Sequence, residues 1–477
     1  LTQRQVRCSN SAAIRSVLRP TTHYLAVQMK IPHLEGLQKQ LALLAGPIFM
    51  ETLLVMTLGA VDTIMLSHHS DTSGTAVGMV NQIVSMIFLV FEVTALGTSI
   101  LCSQYIGARL RDKVVQTVGV SILLNTTFGI AISVFLYFGA DNILQLMGLR
   151  PELMADGLSY MRIVGSFAFV QAISMAISAS LRSANKAFYP MMVTLIVNIF
   201  NIAGNYTLIF GKLGLPALGV EGAAISTAIS RTVAMLLLFY FLLKKHIPRF
   251  SKQLFRPFPF VELKNLLHIG IPSAGEQMSY SLSQVIITYM INMISNEALA
   301  TRTYCMNIIM FVYLFSISVG QSGAIIIGHL VGDRKPHAAF VLGKLVMRIA
   351  VITSIVVSII FAIGGKSIFS ILTSNPEIIS MGVVILWIDV VLEFGRAVNV
   401  FAVNALRSAG DIYFPVLVGI CVMWTVSVGL SYLFGLWIGW GLIGMWIAFL
   451  LDENIRAAIF IKRWYGLKWT TKSFVGK

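Results

Sequence analysis

The chain has 477 residues, 57% of them hydrophobic and only 12% charged, with a formal net charge of +15. So much apolar surface cannot be hidden inside a soluble domain of this size, which excludes a soluble globular protein and leaves a membrane protein. Cys8, Cys102, Cys305 and Cys421 are scattered with no CxxC pair, so neither a disulfide framework nor a thiolate metal site is expected.

In chain order, residues 1–40 read as a basic tail. Residues 1–28 contain Ser and Thr but no acid, a composition that transit peptides share; the preferred reading starts the protein at Met29-Lys30, with 1–28 coming from an upstream start. Twelve apolar runs follow, at roughly 42–66, 78–103, 114–138, 158–182, 190–211, 219–243, 265–292, 301–328, 340–363, 379–403, 414–436 and 440–461. Each has the length of about 20 residues that a helix needs to cross the hydrocarbon core. The proline- and lysine-bearing stretch 244–264 is the longest connection between runs and separates six spans (41–243) from six more (265–463), with a second tail at 464–477. His68-His69-x-Asp71 lies between the first two runs and reads as a solvated loop, being too short for a metal site.

Of the 35 lysines and arginines, 28 lie in or beside the tails and the even-numbered loops. That asymmetry sets both tails and the even loops on the cytoplasmic side, so the basic excess reflects topology and contact with anionic headgroups, with no nucleic-acid partner implied.

The two sets of six spans repeat each other at a constant offset of 225 residues. Pro47 matches Pro272, Glu51 matches Glu276, Met65 matches Met290, Gly107 and Arg109 match Gly332 and Arg334, and Leu181-Arg182-Ser183-Ala184 returns as Leu406-Arg407-Ser408-Ala409. An even number of spans per repeat inserts both the same way up. The expected fold is therefore an all-α membrane protein, twelve transmembrane helices in two six-helix lobes related by a pseudo-twofold axis along the membrane normal.

Polar residues shared by both halves read as scaffold, and those present in one half only as functional candidates. An ionisable group inside a span is costly and is a site candidate by default. Asp62, in the first span, has Ile287 as its counterpart in the repeat. The fifth span carries Thr194, Asn198, Asn201 and Asn205 along one helical face, opposite Gly419, Met423, Val426 and Leu430. Asp and Asn oxygens suit a hard cation such as Na⁺, and a desolvated Asp can instead hold a proton. Secondary candidates are Glu51 and Glu276, each four residues after its proline, and Asp389, Glu393 and Arg396 on one face of the tenth span. These admit a structural reading as carboxylates and ion pairs of the scaffold, or a functional one as cavity acids. Asp452 and Arg456 read as a structural i, i+4 pair, and Glu92 as a lone acid.

Gly46-Pro47, Val61-Asp62-Thr63-Ile64-Met65, Asn201-Ile202-Ala203-Gly204-Asn205-Tyr206 and the paired Leu-Arg-Ser-Ala motifs make the chain resemble the multidrug and toxic compound extrusion (MATE) family over residues 40–465. The resemblance implies two six-helix lobes around a central cavity that opens alternately to each side. It implies export of cationic or amphipathic organic compounds in exchange for H⁺ or Na⁺, in the cytoplasmic membrane, by a monomer without ATP or other cofactor. Asp62 takes the place of the family's acid in the first-lobe cation site, with Asn201 and Asn205 beside it. The second lobe departs from the norfloxacin-exporter pattern. Tyr280 stands where that branch has a glutamate eight residues after the proline, with Glu276 one turn earlier. Arg396 stands where it has an acid eleven residues before the Leu-Arg arginine. Coupling is therefore expected through Asp62. A lipid-linked oligosaccharide flippase is the alternative, but the basic residues not assigned to loops or tails, Arg162, Arg231 and Arg396, are few to meet a pyrophosphate. No P-loop and no catalytic constellation is present, so an enzyme is not expected.

Overall fold

The computed structural model describes residues 34–214, 216–247 and 252–476. Two units are distinguished, residues 1–40 and 41–477. Of the first, residues 34–40 are described, as the opening turns of a helix; the expectation for residues 1–28 falls outside the described residues. Every regular element described in the second unit is a helix, and short turns join them.

The first half comprises α1 (Leu34–His69), α2 (Asp71–Gly107), α3 (Arg111–Leu146), α4 (Pro151–Ser166), α5 (Ala168–Ser183), α6 (Phe188–Phe210) and α7 (Gly219–Phe241). The second comprises α8 (Phe260–Asn292), α9 (Asn296–Gly332), α10 (Pro336–Leu372), α11 (Pro376–Ser408), α12 (Tyr413–Val422) and α13 (Gly441–Tyr465). Nine described helical segments are long and apolar enough to cross a bilayer, and α4 with α5, bent by 46° at Phe167, makes a tenth. The less apolar α8 and α13 complete the twelve spans. The helices run well beyond the apolar runs: between α1 and α2 only Ser70 is non-helical, so His68 lies in the last turn of a helix where a loop is expected from the sequence.

Local chemistry sets many of the boundaries. Prolines open α4, α10 and α11, where a missing N–H costs nothing. Pro47 and Pro272 lie within α1 and α8 and each removes one ladder hydrogen bond at the same point of the repeat. The turns repeat as well: Arg109 and Arg334 are both left-handed, at φ 61° and 57°. Beyond Val422 the eleventh span winds as π-helix over Met423–Val428 and Ser431–Trp437, at the level where its counterpart α6 carries the asparagines.

Lipid-facing helices gain no hydrophobic drive from one another, so small residues and polar links hold the bundle. Thr94 Oγ1 donates to Asn125 Oδ1 at 2.7 Å, and Thr98 and Ser121 hydroxyls meet at 2.5 Å, tying α2 to α3. The halves join where the basic loops lie. A Cβ on Gly107 would sit 2.0 Å from the His329 carbonyl oxygen, and one on Gly332 2.0 Å from that of Gln104, so α2 and α9 cross here with backbones in contact. Gln104 Nε2 donates to the Ser408 carbonyl at 2.8 Å, and His329 Nε2 lies 2.7 Å from the Ser183 carbonyl. Each helix thus reaches the Leu-Arg-Ser-Ala motif of the opposite half. Segment 468–476 closes over the same seam: Trp469 stacks on Trp464 at 4.4 Å, and Ser473 Oγ and Phe474 N donate to Gln104 Oε1 at 3.0 and 2.8 Å.

Candidate functional site: a polar chain between three helices of the first half

Asn198, Asn201 and Asn205 recur at intervals of three and four on α6, and all three are buried. The helical period points them at α1 and α7. Asn198 Nδ2 donates to the Leu54 carbonyl at 2.7 Å, bonding the α1 backbone seven residues after Pro47. Asn205 Nδ2 donates to Asp62 Oδ1 at 2.6 Å and to Asn201 Oδ1 at 3.0 Å, and Asn201 Nδ2 reaches Thr227 Oγ1 on α7 at 3.3 Å. Ser226 Oγ donates to the Asn201 carbonyl at 3.1 Å. Asp62, Asn205, Asn201 and Thr227 therefore form one polar chain across α1, α6 and α7. Asn205 Oδ1 is buried without a hydrogen-bond partner among the described residues, so the chain retains an unused acceptor beside the carboxylate. Carboxylate, amide and hydroxyl oxygens together form a donor set for a hard monovalent cation, and the carboxylate alone can carry a proton.

Arg231 completes the neighbourhood. It stands one turn beyond Thr227 on α7, with its guanidinium 5.1 Å from the centre of the Phe88 ring, and interacts electrostatically with Asp62 and Tyr160. Sequence reasoning passed over Thr227, Phe88 and the role of Arg231. One signal was available: Arg231 and Arg456 are 225 apart, and so are Thr227 and Asp452.

Among the described residues, the equivalent positions of the second half carry no such chain. Ile287, opposite Asp62, is fully buried in an apolar cluster with Met290, Ile308 and Leu386. Met423, opposite Asn198, accepts from Ser283 Oγ through its sulfur at 3.3 Å. The secondary candidates sit elsewhere. Glu51 pairs with Arg182 at 3.0 Å, and Glu276 pairs with Arg407. In both halves the acid four residues after the proline thus meets the arginine of the Leu-Arg-Ser-Ala motif. Asp389 and Glu393 are both buried and share Arg396, which bonds Glu393 and lies 3.4 Å from Asp389 Oδ1. On α13, Arg456 bonds Asp452 and lies 3.2 Å from Glu453. Asn399 Nδ2 donates to Glu453 Oε2 at 2.6 Å and so joins α11 to α13. Glu92 is exposed and has no ion pair among the described residues.

Twelve spans in two repeats, with a half-buried carboxylate and buried amides between helices, define a polytopic membrane transporter. The MatE family model matches twice, over residues 47–207 and 272–433, one match in each half. The chain belongs to the MATE family. The uncharacterized transporter YisQ of Bacillus subtilis is 38% identical over 429 residues, covering 90% of this chain and 94% of that protein. The probable multidrug resistance protein NorM of Thermotoga maritima is 27% identical, covering 92% and 94% respectively. Among solved structures, an outward-facing multidrug resistance MATE family transporter of the MOP superfamily superposes with a TM-score of 0.82 at 21% identity, covering 91% of this chain and 97% of that one. The fold is that of the family.

Proposed function

We propose that the protein is a secondary active multidrug efflux antiporter. It exports cationic or amphipathic organic compounds in exchange for H⁺ or Na⁺, through a cavity between lobes 41–243 and 265–463 that opens to one side at a time. Both tails and the basic loops lie on the cytoplasmic side, with 244–264 linking the lobes, and the α2–α9 crossing seals that side. The protein works as a monomer in the cell membrane. Family membership supports transport, and the relatives called multidrug resistance proteins support efflux of drug-like compounds.

The observation that carries the coupling role is the polar chain Asp62–Asn205–Asn201–Thr227, built in one half and replaced by apolar packing in the other. A free carboxylate between membrane helices is costly, so it holds a cation or a proton, or takes hydrogen bonds from its neighbours. Occupancy at Asp62 neutralises that charge and changes how α1 packs against α6. The two helices then repack, and the inward/outward balance shifts. Drug release follows cation entry because the two need not be bound together.

The test is uptake of a fluorescent organic cation into everted vesicles under separately imposed Na⁺ and H⁺ gradients. Asp62→Asn keeps a folded protein and loses gradient-driven uptake; undiminished uptake by that variant refutes the scheme.

A further inference from the structure

The arginine that both halves share is treated differently in each. On α13, Arg456 is closed into pairs with Asp452 and Glu453 on its own helix. The equivalent positions on α7 are Thr227 and Ala228, so Arg231 has no acid on its own helix within reach. Its electrostatic partners are the carboxylate of Asp62, across on α1, and the phenol of Tyr160 on α4. Among the described residues no carboxylate lies within ion-pairing distance of it, and one guanidinium nitrogen, Nη1, is buried without a hydrogen-bond acceptor. The guanidinium rests on the face of Phe88 at 5.1 Å, while Asp62 is held by Asn205 at 2.6 Å. The shared arginine is thus ion-paired on its own helix in one half, whereas in the other it rests on a neutral ring while Asp62, on a different helix, is held by a neutral amide. An unsatisfied buried N–H is costly, and a cation over a ring is a modest attraction, so this arrangement is poised to change.

We propose that Arg231 is the resident counter-charge of the Asp62 site: its guanidinium pairs with Asp62 when no transported cation is there, and moves to Phe88 when one arrives. The proposal rests on the coupling role of Asp62. It supplies what an exchanger needs on its return step, because a carboxylate between membrane helices, crossing the cycle without a cation, must be compensated. Arg231 also competes with the incoming ion, which makes it a determinant of how tightly the ion is held. Arg231 is a positioning residue in this scheme; the transported cation touches Asp62, Asn201, Asn205 and Thr227.

The experiment is steady-state uptake of ethidium into everted vesicles, with Na⁺ and H⁺ gradients in separate arms, reading the half-saturating concentration of the driving ion and the maximal rate. Without Arg231 the ion has no competitor and the return step has no counter-charge. Arg231→Gln is therefore expected to lower the half-saturating concentration about tenfold, as removal of one nearby fixed charge implies, and to lower the maximal rate as well. Arg231→Lys restores most of both. Phe88→Leu, which removes the resting place of the guanidinium, shifts the half-saturating concentration the opposite way, upward, and keeps the proposal testable if Arg231→Gln does not fold. Unchanged half-saturation in Phe88→Leu, or in folded Arg231→Gln, overturns the proposal; so does a loss confined to protein yield and melting temperature. If Asp62→Asn transports like the unsubstituted chain, the coupling reading fails and the proposal falls with it. If Asp62→Asn is inactive and the half-saturation still does not move, only the proposal fails.

Discussion

At the scale of single residues, Glu51 with Arg182 and Glu276 with Arg407 do the same work in both halves. Each joins a turn just past a helix proline to the end of another span. Neither pair is open to bulk water to any great extent, so removing one partner leaves a charge without compensation. Glu276→Gln is expected to cost about 3 kcal/mol, seen as a clear fall in the detergent melting temperature. Glu276→Gln with Arg407→Met removes both charges and should recover much of that loss; a double variant no more stable than the single one would show that the pair is not the cause. Both acids could be singled out from their fixed distance to a proline. Their partners could not, because acid and arginine are 131 residues apart and only folding brings them together.

The elements differ between halves more than the 225-residue repeat suggests. The fourth span breaks at Phe167 into α4 and α5, whereas its counterpart α11 runs unbroken from Pro376 to Ser408. The eleventh span turns π-helical where the fifth stays α-helical. No proline marks either difference, and the glycines nearby, Gly165 before the break and Gly429 and Gly435 in the π-helical stretch, do not by themselves say which helix bends. The α2–α9 crossing, in contrast, is legible as a repeated Gly, and the structure supplies its reason: backbones touch there. Gly332→Val forces a side chain against the Gln104 carbonyl and should hold the crossing apart. In a cysteine-free background, Ser103→Cys with Ser408→Cys, whose hydroxyls both lie beside Gly328, should form a disulfide readily in the otherwise native chain. With Gly332→Val added the disulfide should form several-fold more slowly; an equal rate would mean that the helices do not need that close approach.

For the molecule as a whole, the question is whether both halves carry ions or one does. The buried charges of the second half are largely tied: Asp389 and Glu393 to Arg396, Asp452 and Glu453 to Arg456. The polar chain of the first half contains a carboxylate that is hydrogen-bonded to a neutral amide and has no ion pair among the described residues. If coupling resides in the first half, neutralising Asp389→Asn, Glu393→Gln and Arg396→Met together should leave a folded protein that still responds to an ion gradient in everted vesicles. Arg396→Met alone should be less stable by about 3 kcal/mol or more, because it leaves two buried acids facing each other. Loss of gradient response by the folded triple variant would give the second half a share in coupling.

The amino-acid sequence by itself determined the twelve spans, the duplicated plan and the short list of polar residues lacking a counterpart. Hydrophobic length and a constant spacing are one-dimensional properties, and both survive without a fold. Tertiary structure alone decided how those residues are used. It joined Asp62 to Asn205 from helices 143 residues apart, closed Arg396 onto its two acids, and left Arg231 on Phe88, parted from Asp62. Whether a buried charge is tied or free depends on what packs within a few ångströms of it, and charge interactions at low dielectric change steeply over that distance. The spacing of residues along a chain does not contain that information.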